Sequence, residues 1–262
     1  METTVSELDT ICYDKNYLKE VLVRVDFSGP IEGIEKKLSP SFEKQALQRF
    51  QIAEPQAFVV SGLQVSGGET KSLEMRAVGA QGTDWYFHDK NHEKTLSVQQ
   101  TCFWIRYTKY GKFETLKGDF EYILSHFCEN YKGVLLTRTG IRYINFISIP
   151  GKGPFDWKDL VNPKMLHIFD VAPGTELISR ALHILELNYG DQNLRFQYGM
   201  NNPDFPAPIR QNHFILDLDA YVQGPQEPGE ALSNIAKGHG RIQCIFEDSI
   251  TSKLREQMYV AK

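Results

Sequence analysis

Three segments of the chain alternate in polarity with a period of two, the pattern of a β-strand that buries one face. In Lys19–Phe27 the valines and Phe27 share one face, whereas Glu20, Arg24 and Asp26 share the other, with Leu22 as the one exception. In Arg138–Ile147 and His213–Tyr221 the same period places all charged side chains on one face. A chain with this pattern must build a sheet that has one covered face and one polar face.

Helical segments lie between these strands. Residues 1–150 predict the order strand, helix, strands, strand, helix, strand, which is the βαββαβ order of a ferredoxin-like unit. Residues 151–262 predict a ββ(β)α order that ends in a long helix. We therefore expect an α+β protein with helices packed on one face of one or two antiparallel sheets. The loop Gly151–Phe155 is the best boundary between two units, although a single continuous domain stays open.

The individual elements follow from apolar spacing and from turn residues. The predicted helices are 41–50, 113–131, 157–166 and 230–258, and the predicted strands are 72–77, 85–88, 95–107, 134–149, 177–188, 193–199 and 213–222. A turn at Asp89–Glu93 joins two of the strands into a hairpin. Gly238 and Gly240 each weaken the last helix by about 1 kcal/mol relative to alanine, so we expect a kink or break there.

Composition excludes several classes of protein. The 262 residues are 41% hydrophobic and carry a net charge of −4, which is typical of a globular chain and not of a disordered one. The pI near 6.0 argues against a dedicated nucleic-acid binder. No apolar run is long enough for a membrane span, the first residues do not resemble a signal peptide, and the four cysteines are widely spaced. We expect a cytoplasmic protein with free thiols.

Familiar catalytic patterns are absent from the sequence. It contains no nucleophile elbow, no HExxH, no complete phosphate loop or dinucleotide fingerprint, and no paired Cys/His zinc spacing. We therefore expect no catalytic residue and no cofactor.

The first candidate site is the strand that carries Arg138, Gly140 and Arg142 on one face. Its two arginines lie about 13 Å apart between Cα atoms. Gly140 leaves room between them for a ligand to approach the backbone, so the pair could converge on a carboxylate or phosphate. Alternatively, acidic residues of a neighbouring strand neutralise each arginine, and we favour this interpretation because charges on sheets are usually matched across strands.

The second candidate supplies those acids. Asp217, Asp219 and His213 share one face of the strand His213–Tyr221. Two carboxylates at i and i+2 can hold a divalent cation, with His213 assisting. The preferred alternative is that Asp217 and Asp219 face Arg138 and Arg142 in a charge network that needs no ligand.

Two histidines and one aromatic cluster have simpler interpretations. His88 and His92 flank the predicted turn and could ligate a metal, but turn histidines are usually solvated, so we expect none there. His239 lies on the apolar stripe of the last helix and is expected in the core. The run Cys102–Tyr107 is either a docking surface or, as base rates favour, ordinary core.

Four segments in order suggest a family. They are Leu18–Phe27, Thr137–Asn145, Leu216–Asp219 and Phe246–Arg255. Together they resemble a sporadically distributed, uncharacterised family of prokaryotic proteins of similar length, over nearly the whole chain. That resemblance implies no activity, cofactor or catalytic residue, and its patchy distribution implies horizontal transfer in toxin–antitoxin or phage-defence cassettes.

These observations favour a non-enzymatic cytoplasmic binding protein with a protein partner or self-association, and with no membrane or nucleic-acid partner. A first alternative is a metal-dependent phosphodiesterase or nucleotide-processing enzyme. In it, Asp217 and Asp219 with His213 hold metal, and Arg138 and Arg142 hold phosphate. A second alternative is a sensor of a small anionic ligand, with its pocket over Gly140.

Overall fold

The computed structural model describes residues 12–66 and 74–258. It confirms an α+β architecture, because ten antiparallel strands form one sheet with helices against it. The strands are β1 (Leu18–Phe27), β2 (Ile52–Ala53), β3 (Gln56–Ser66), β4 (Glu74–His88), β5 (Lys94–Val98), β6 (Cys102–Tyr107), β7 (Leu136–Ser148), β8 (Ala181–Asn188), β9 (Asn193–Met200) and β10 (His213–Gln226). The helices are α1 (Pro40–Arg49), α2 (Phe113–Asn130), α3 (Pro163–Leu166), α4 (Pro228–Ser249) and α5 (Ser252–Met258).

The strand order across the sheet is β2-β4-β5-β6-β1-β7-β10-β9-β8, and β3 also pairs with β4. The strand β7 pairs with β1 on one side and with β10 on the other, so strands from both sides of Gly151 belong to one sheet. The strand β7 therefore joins the strands of the first part of the chain to those of the second part. The long alternating segments of the sequence are thus three adjacent strands.

Helices cover the apolar face. On α2, Phe127 stacks on Phe27 of β1 at 4.9 Å between ring centroids. On α4, Gly238 lies against Ile141 of β7 and Ala220 of β10. Since Phe27, Ile141 and Ala220 all lie on the inner side of the alternation, α2 and α4 pack on the same face of the sheet. The opposite face, called the outer face below, carries the charged side chains of β1, β7 and β10.

The expected break at Gly238 and Gly240 is wrong, because α4 runs unbroken through both glycines. A Cβ on Gly238 would lie 2.9 Å from Cγ2 of Ile141, so the glycine allows the helix to approach the sheet closely. The helix ends instead at Ser249, because Ile250 has an extended backbone and forms a β-bridge with Val161.

Several strand and helix predictions also need correction. The predicted strand 95–107 is two strands, β5 and β6, and the predicted helix 157–166 is helical only over Pro163–Leu166. The predicted strands 72–77 and 85–88 fall on one strand, β4, although residues 72 and 73 lie outside the described residues. The strand β3 was not predicted. The helices α1 and α2, the strand β7 and the hairpin β8–β9 agree with prediction to within a few residues.

Candidate functional site

The candidate site lies on the outer face where β1, β7 and β10 adjoin. Register places Arg24 of β1 opposite Gly140 of β7, and Arg142 of β7 opposite Asp219 of β10. Because side chains of directly paired residues lie on the same face of a sheet, three strands contribute charge to one area. The sequence predicted the arginine and aspartate pairs of this area, but not the contribution of Arg24.

Each arginine of this area pairs with a carboxylate. Arg142 donates from Nε and Nη2 to the two oxygens of Asp217, at 2.7 and 2.6 Å. Arg138 donates from Nη2 to Asp219 at 3.0 Å. The geometry therefore contains the charge network that the sequence favoured, with each pair formed diagonally between β7 and β10.

The third pair lies within β1. Arg24 donates from Nε to Oδ1 of Asp26, two residues along the strand, at 2.7 Å. This pair engages only Nε, one of the five N–H donors of the guanidinium. Among the described residues, neither Nη1 nor Nη2 of Arg24 has a hydrogen-bond partner.

Side chains of the protein itself occupy part of the space over Gly140. A Cβ at this position would lie 3.1 Å from Nη1 of Arg138 and 3.1 Å from Cβ of Tyr221. The guanidinium of Arg138 also lies over the ring of Tyr221, with 4.9 Å from Cζ to the ring centroid. Gly140 therefore lets Arg138 lie flat on the sheet, and the approach of a ligand at this glycine stays a prediction.

A pocket of about 340 Å³ opens beside this guanidinium. It is lined by Leu22, Arg24, Asp26, Arg138, Gly140, Arg142 and Asp219. Nη1 of Arg138 has no hydrogen-bond partner among the described residues, as is also true of both terminal nitrogens of Arg24. Charge-assisted donors that are not yet engaged thus line an open pocket, which is the arrangement that binds carboxylate or phosphate.

Burial and charge act in opposite directions on the acids of the pocket. Burial raises the pKa of Asp219 above its ordinary value, while the positive charges of Arg138 and Arg142 lower it; burial prevails. The hydrogen bond to Asp217 raises the pKa of Arg142, so that this guanidinium stays charged under all ordinary conditions.

His213 does not join the site. It is the first residue of β10, lies opposite Ser148 and packs on the ring of Phe146 at 4.5 Å. Four residues of strand separate it from Asp217, which is about 13 Å. His213 shares a face with the two aspartates, as predicted, but it is too distant to assist them in holding a cation.

A second cavity lies under the helices. It is bordered by Tyr110, Tyr143 and His239, among other residues, and has a volume of about 80 Å³. The hydroxyl of Tyr143 is 2.9 Å from the Tyr110 hydroxyl and 2.9 Å from Nδ1 of His239. His239 is buried and stacks on Phe113 at 4.0 Å, which confirms its expected place in the core.

The aromatic run of β6 is divided between the two faces. Phe103, Ile105 and Tyr107 are buried under the helices, while Trp104 is half-buried on the outer face. Cys102 is buried as well, so the core interpretation is right for four of the six residues of the run.

Comparison with known proteins gives no family assignment: no family model matches the chain, and no curated protein matches it. Within residues 12–66 and 74–258, no helix is both long enough and apolar enough to cross a membrane.

Proposed function

We propose that this chain is a non-enzymatic binding protein that recognises an acidic group of a partner protein on its outer face. The observation that carries the proposal is the pocket beside Gly140, which is lined by Arg24, Arg138 and Arg142 and in which Arg24 and Arg138 have terminal N–H donors without a partner among the described residues. An incoming carboxylate would accept hydrogen bonds from two guanidinium groups that are already held in position.

The existing ion pairs hold the arginines in place for this role. Asp217 and Asp219 restrict the guanidiniums of Arg142 and Arg138, so that little side-chain entropy is lost on binding. The same acids repel a second negative charge beyond the pocket. A protein with single, spaced acidic side chains therefore suits this face better than a polyanion does.

The rest of the outer face favours a protein over a free ion. Beyond β10 the face continues across β9 to β8, about 10 Å further on. There Ile184 lies on the same face and is 51% exposed. A charged centre with an accessible apolar side chain at its edge provides the contacts of a protein interface, whereas a small anion would use the pocket alone.

The enzyme alternative has less support from the geometry. Both oxygens of Asp217 accept hydrogen bonds from Arg142, and Asp219 accepts one from Arg138. A divalent cation at these carboxylates would have to displace two guanidinium groups, and it would receive no help from His213. We therefore keep a metal-dependent phosphodiesterase only as an outcome that experiment can reveal.

We propose further that β1, β5, β6 and β7 with α1 and α2 form a ferredoxin-like unit. The support is their order in the sheet, β7-β1-β6-β5, together with two helices on one face. In this interpretation β2, β3 and β4 are an insertion after α1. We also propose a cytoplasmic protein of a mobile defence or toxin–antitoxin cassette, on the basis of the family resemblance and the spaced thiols.

The proposal is tested by co-purification with a matched pair of variants. The wild-type chain, Arg24→Gln and Arg49→Gln are each expressed in the native cell and purified gently, and bound proteins are quantified by mass spectrometry. Arg24 and Arg49 are each paired with an aspartate and are 43% and 46% exposed, but Arg49 lies on the helix side, over the ring of Tyr122.

We expect a partner whose recovery falls about tenfold with Arg24→Gln, which corresponds to ~1.4 kcal/mol, and is unchanged with Arg49→Gln. Equal recovery with all three chains, or no partner at all, would refute recognition at this pocket. Loss of a metal-dependent activity in Asp217→Asn/Asp219→Asn with the fold intact would instead support the enzyme alternative.

A further inference from the structure

A second cluster of functional side chains lies at the other end of the sheet, where β2, β4 and β5 meet. Glu54 follows β2, His88 ends β4, and His92 lies in the turn before β5. One ligand atom from each of these side chains lies within 4.8 Å of the others. The sequence had singled out the two histidines, but only strand pairing brings Glu54 to them.

The distances suit ligands of one metal ion better than they suit direct hydrogen bonds. Nε2 of His88 is 3.6 Å from Oε2 of Glu54, which is longer than a hydrogen bond. Two ligand atoms bound to a tetrahedral zinc ion at about 2.0–2.1 Å lie about 3.3–3.5 Å apart. The ring centroids of His88 and His92 are 4.8 Å apart, so the two imidazoles lie side by side.

A neighbouring hydroxyl orients the first histidine. Nδ1 of His88 lies 3.0 Å from Oγ1 of Thr95, which is buried beside it on β5. When Nδ1 donates to that oxygen, Nε2 keeps its lone pair and directs it toward Glu54. Histidines that ligate metals typically have such a partner at the second ring nitrogen.

The turn holds the second histidine in an uncommon conformation. His92 has a φ of 54°, in the left-handed region that few residues other than glycine occupy. The turn is closed by hydrogen bonds from the His92 amide to the Asp89 carbonyl and from the Lys94 amide to the Asp89 side chain. A local backbone cost of this kind is often found where a side chain must be held at a functional position.

We infer that Glu54, His88 and His92 form a binding site for a divalent transition-metal ion of the zinc type. Two imidazole nitrogens and one carboxylate are a common ligand set for zinc with three protein ligands and an open fourth position. Because Glu54 and His92 are exposed, a fourth position would be accessible to water or to a ligand atom from another molecule. The inference does not depend on the arginine pocket, which lies on other strands.

The test is a metal titration of the full chain after treatment with a chelator. Zn²⁺ is added in competition with a chromophoric chelator, and Co²⁺ is used in parallel because its visible spectrum reports its ligands. The variants are His92→Asn, since asparagine tolerates the left-handed conformation, and Glu54→Gln, whose side chain is exposed. The control is His167→Asn, which removes an exposed histidine that also lies beside an acid, Asp170.

We expect one tight equivalent of Zn²⁺, a Co²⁺ spectrum without thiolate bands, and a melting temperature that rises with Zn²⁺. Each of His92→Asn and Glu54→Gln should weaken binding at least about tenfold, in line with the loss of one ligand, and His167→Asn should not. Failure of the wild-type chain to bind Zn²⁺, thiolate bands with Co²⁺, or undiminished affinity in either variant would overturn the assignment.

Discussion

The ion pair between Arg142 and Asp217 is predicted to stabilise the folded state, and a substitution of Asp217 tests this. Its two hydrogen bonds are short, and the Asp217 side chain is only 12% exposed. Asp217→Asn removes the negative charge and turns one acceptor into a donor that faces the guanidinium. A hydrogen bond to a charged group contributes about 1.5–3 kcal/mol, but Arg142 is 41% exposed, so solvent screens part of this energy.

We therefore expect Asp217→Asn to lower the free energy of unfolding by about 2 kcal/mol, which is a fall of about 4–8 °C in melting temperature for a chain of this size. The assay is urea and thermal unfolding of wild type, Asp217→Asn, Arg142→Gln and the double variant. The coupling energy of the cycle should be about 1–2 kcal/mol.

Glu186→Gln is the matched control, because its pair with Arg195 on the same face is longer, at 3.7 Å, and largely exposed. It should change the unfolding free energy by less than about 0.5 kcal/mol. If Asp217→Asn has the same melting temperature as wild type, or if the double-mutant cycle gives no coupling energy, the charge network does not stabilise the fold. Either result would contradict the prediction.

Two further predictions concern pH and packing. Because burial raises the pKa of Asp219, the folded state holds this proton more tightly than the unfolded state does, and stability is lost as pH rises above about 4. Asp219→Asn should therefore gain stability relative to wild type as pH rises from about 4, as measured by urea unfolding across a pH series; a constant difference would contradict this. Gly238→Ala should cost about 1 kcal/mol, since overpacking against Ile141 exceeds the gain in helix propensity. In the same unfolding assay Gly118→Ala, in open space on α2, should stabilise, and equal effects of the two substitutions would refute the packing argument.

The face of the sheet on which each side chain lies could be predicted from the sequence, because successive side chains of a strand alternate between the two faces. Once Arg138–Ile147 and His213–Tyr221 are strands, Arg138 must share a face with Arg142, and Asp217 with Asp219. That the two strands are neighbours was only a hypothesis. Pairing of β7 with β10 spans more than 60 residues of chain, and no local signal specifies it.

Contacts that depend on the register between paired strands could not be predicted from the sequence. Arg24 enters the pocket because it pairs opposite Gly140, and Glu54 meets His88 because β2 pairs with β4. Both contacts depend on which residue lies opposite which, and alternation within one strand does not contain that information. The role of Gly238 was misinterpreted for a related reason, since a glycine's role depends on the side chain that packs over it.

The most direct test of recognition at the pocket is the reactivity of Arg24 toward an arginine-specific reagent such as phenylglyoxal. Rates of labelling are measured by mass spectrometry for the isolated chain and for the chain in its complex from the native cell, with Arg49 as the internal reference of similar exposure. We predict that Arg24 reacts several-fold more slowly in the complex while Arg49 reacts at the same rate in both. Equal labelling of Arg24 in the two samples would contradict an acidic partner at this pocket.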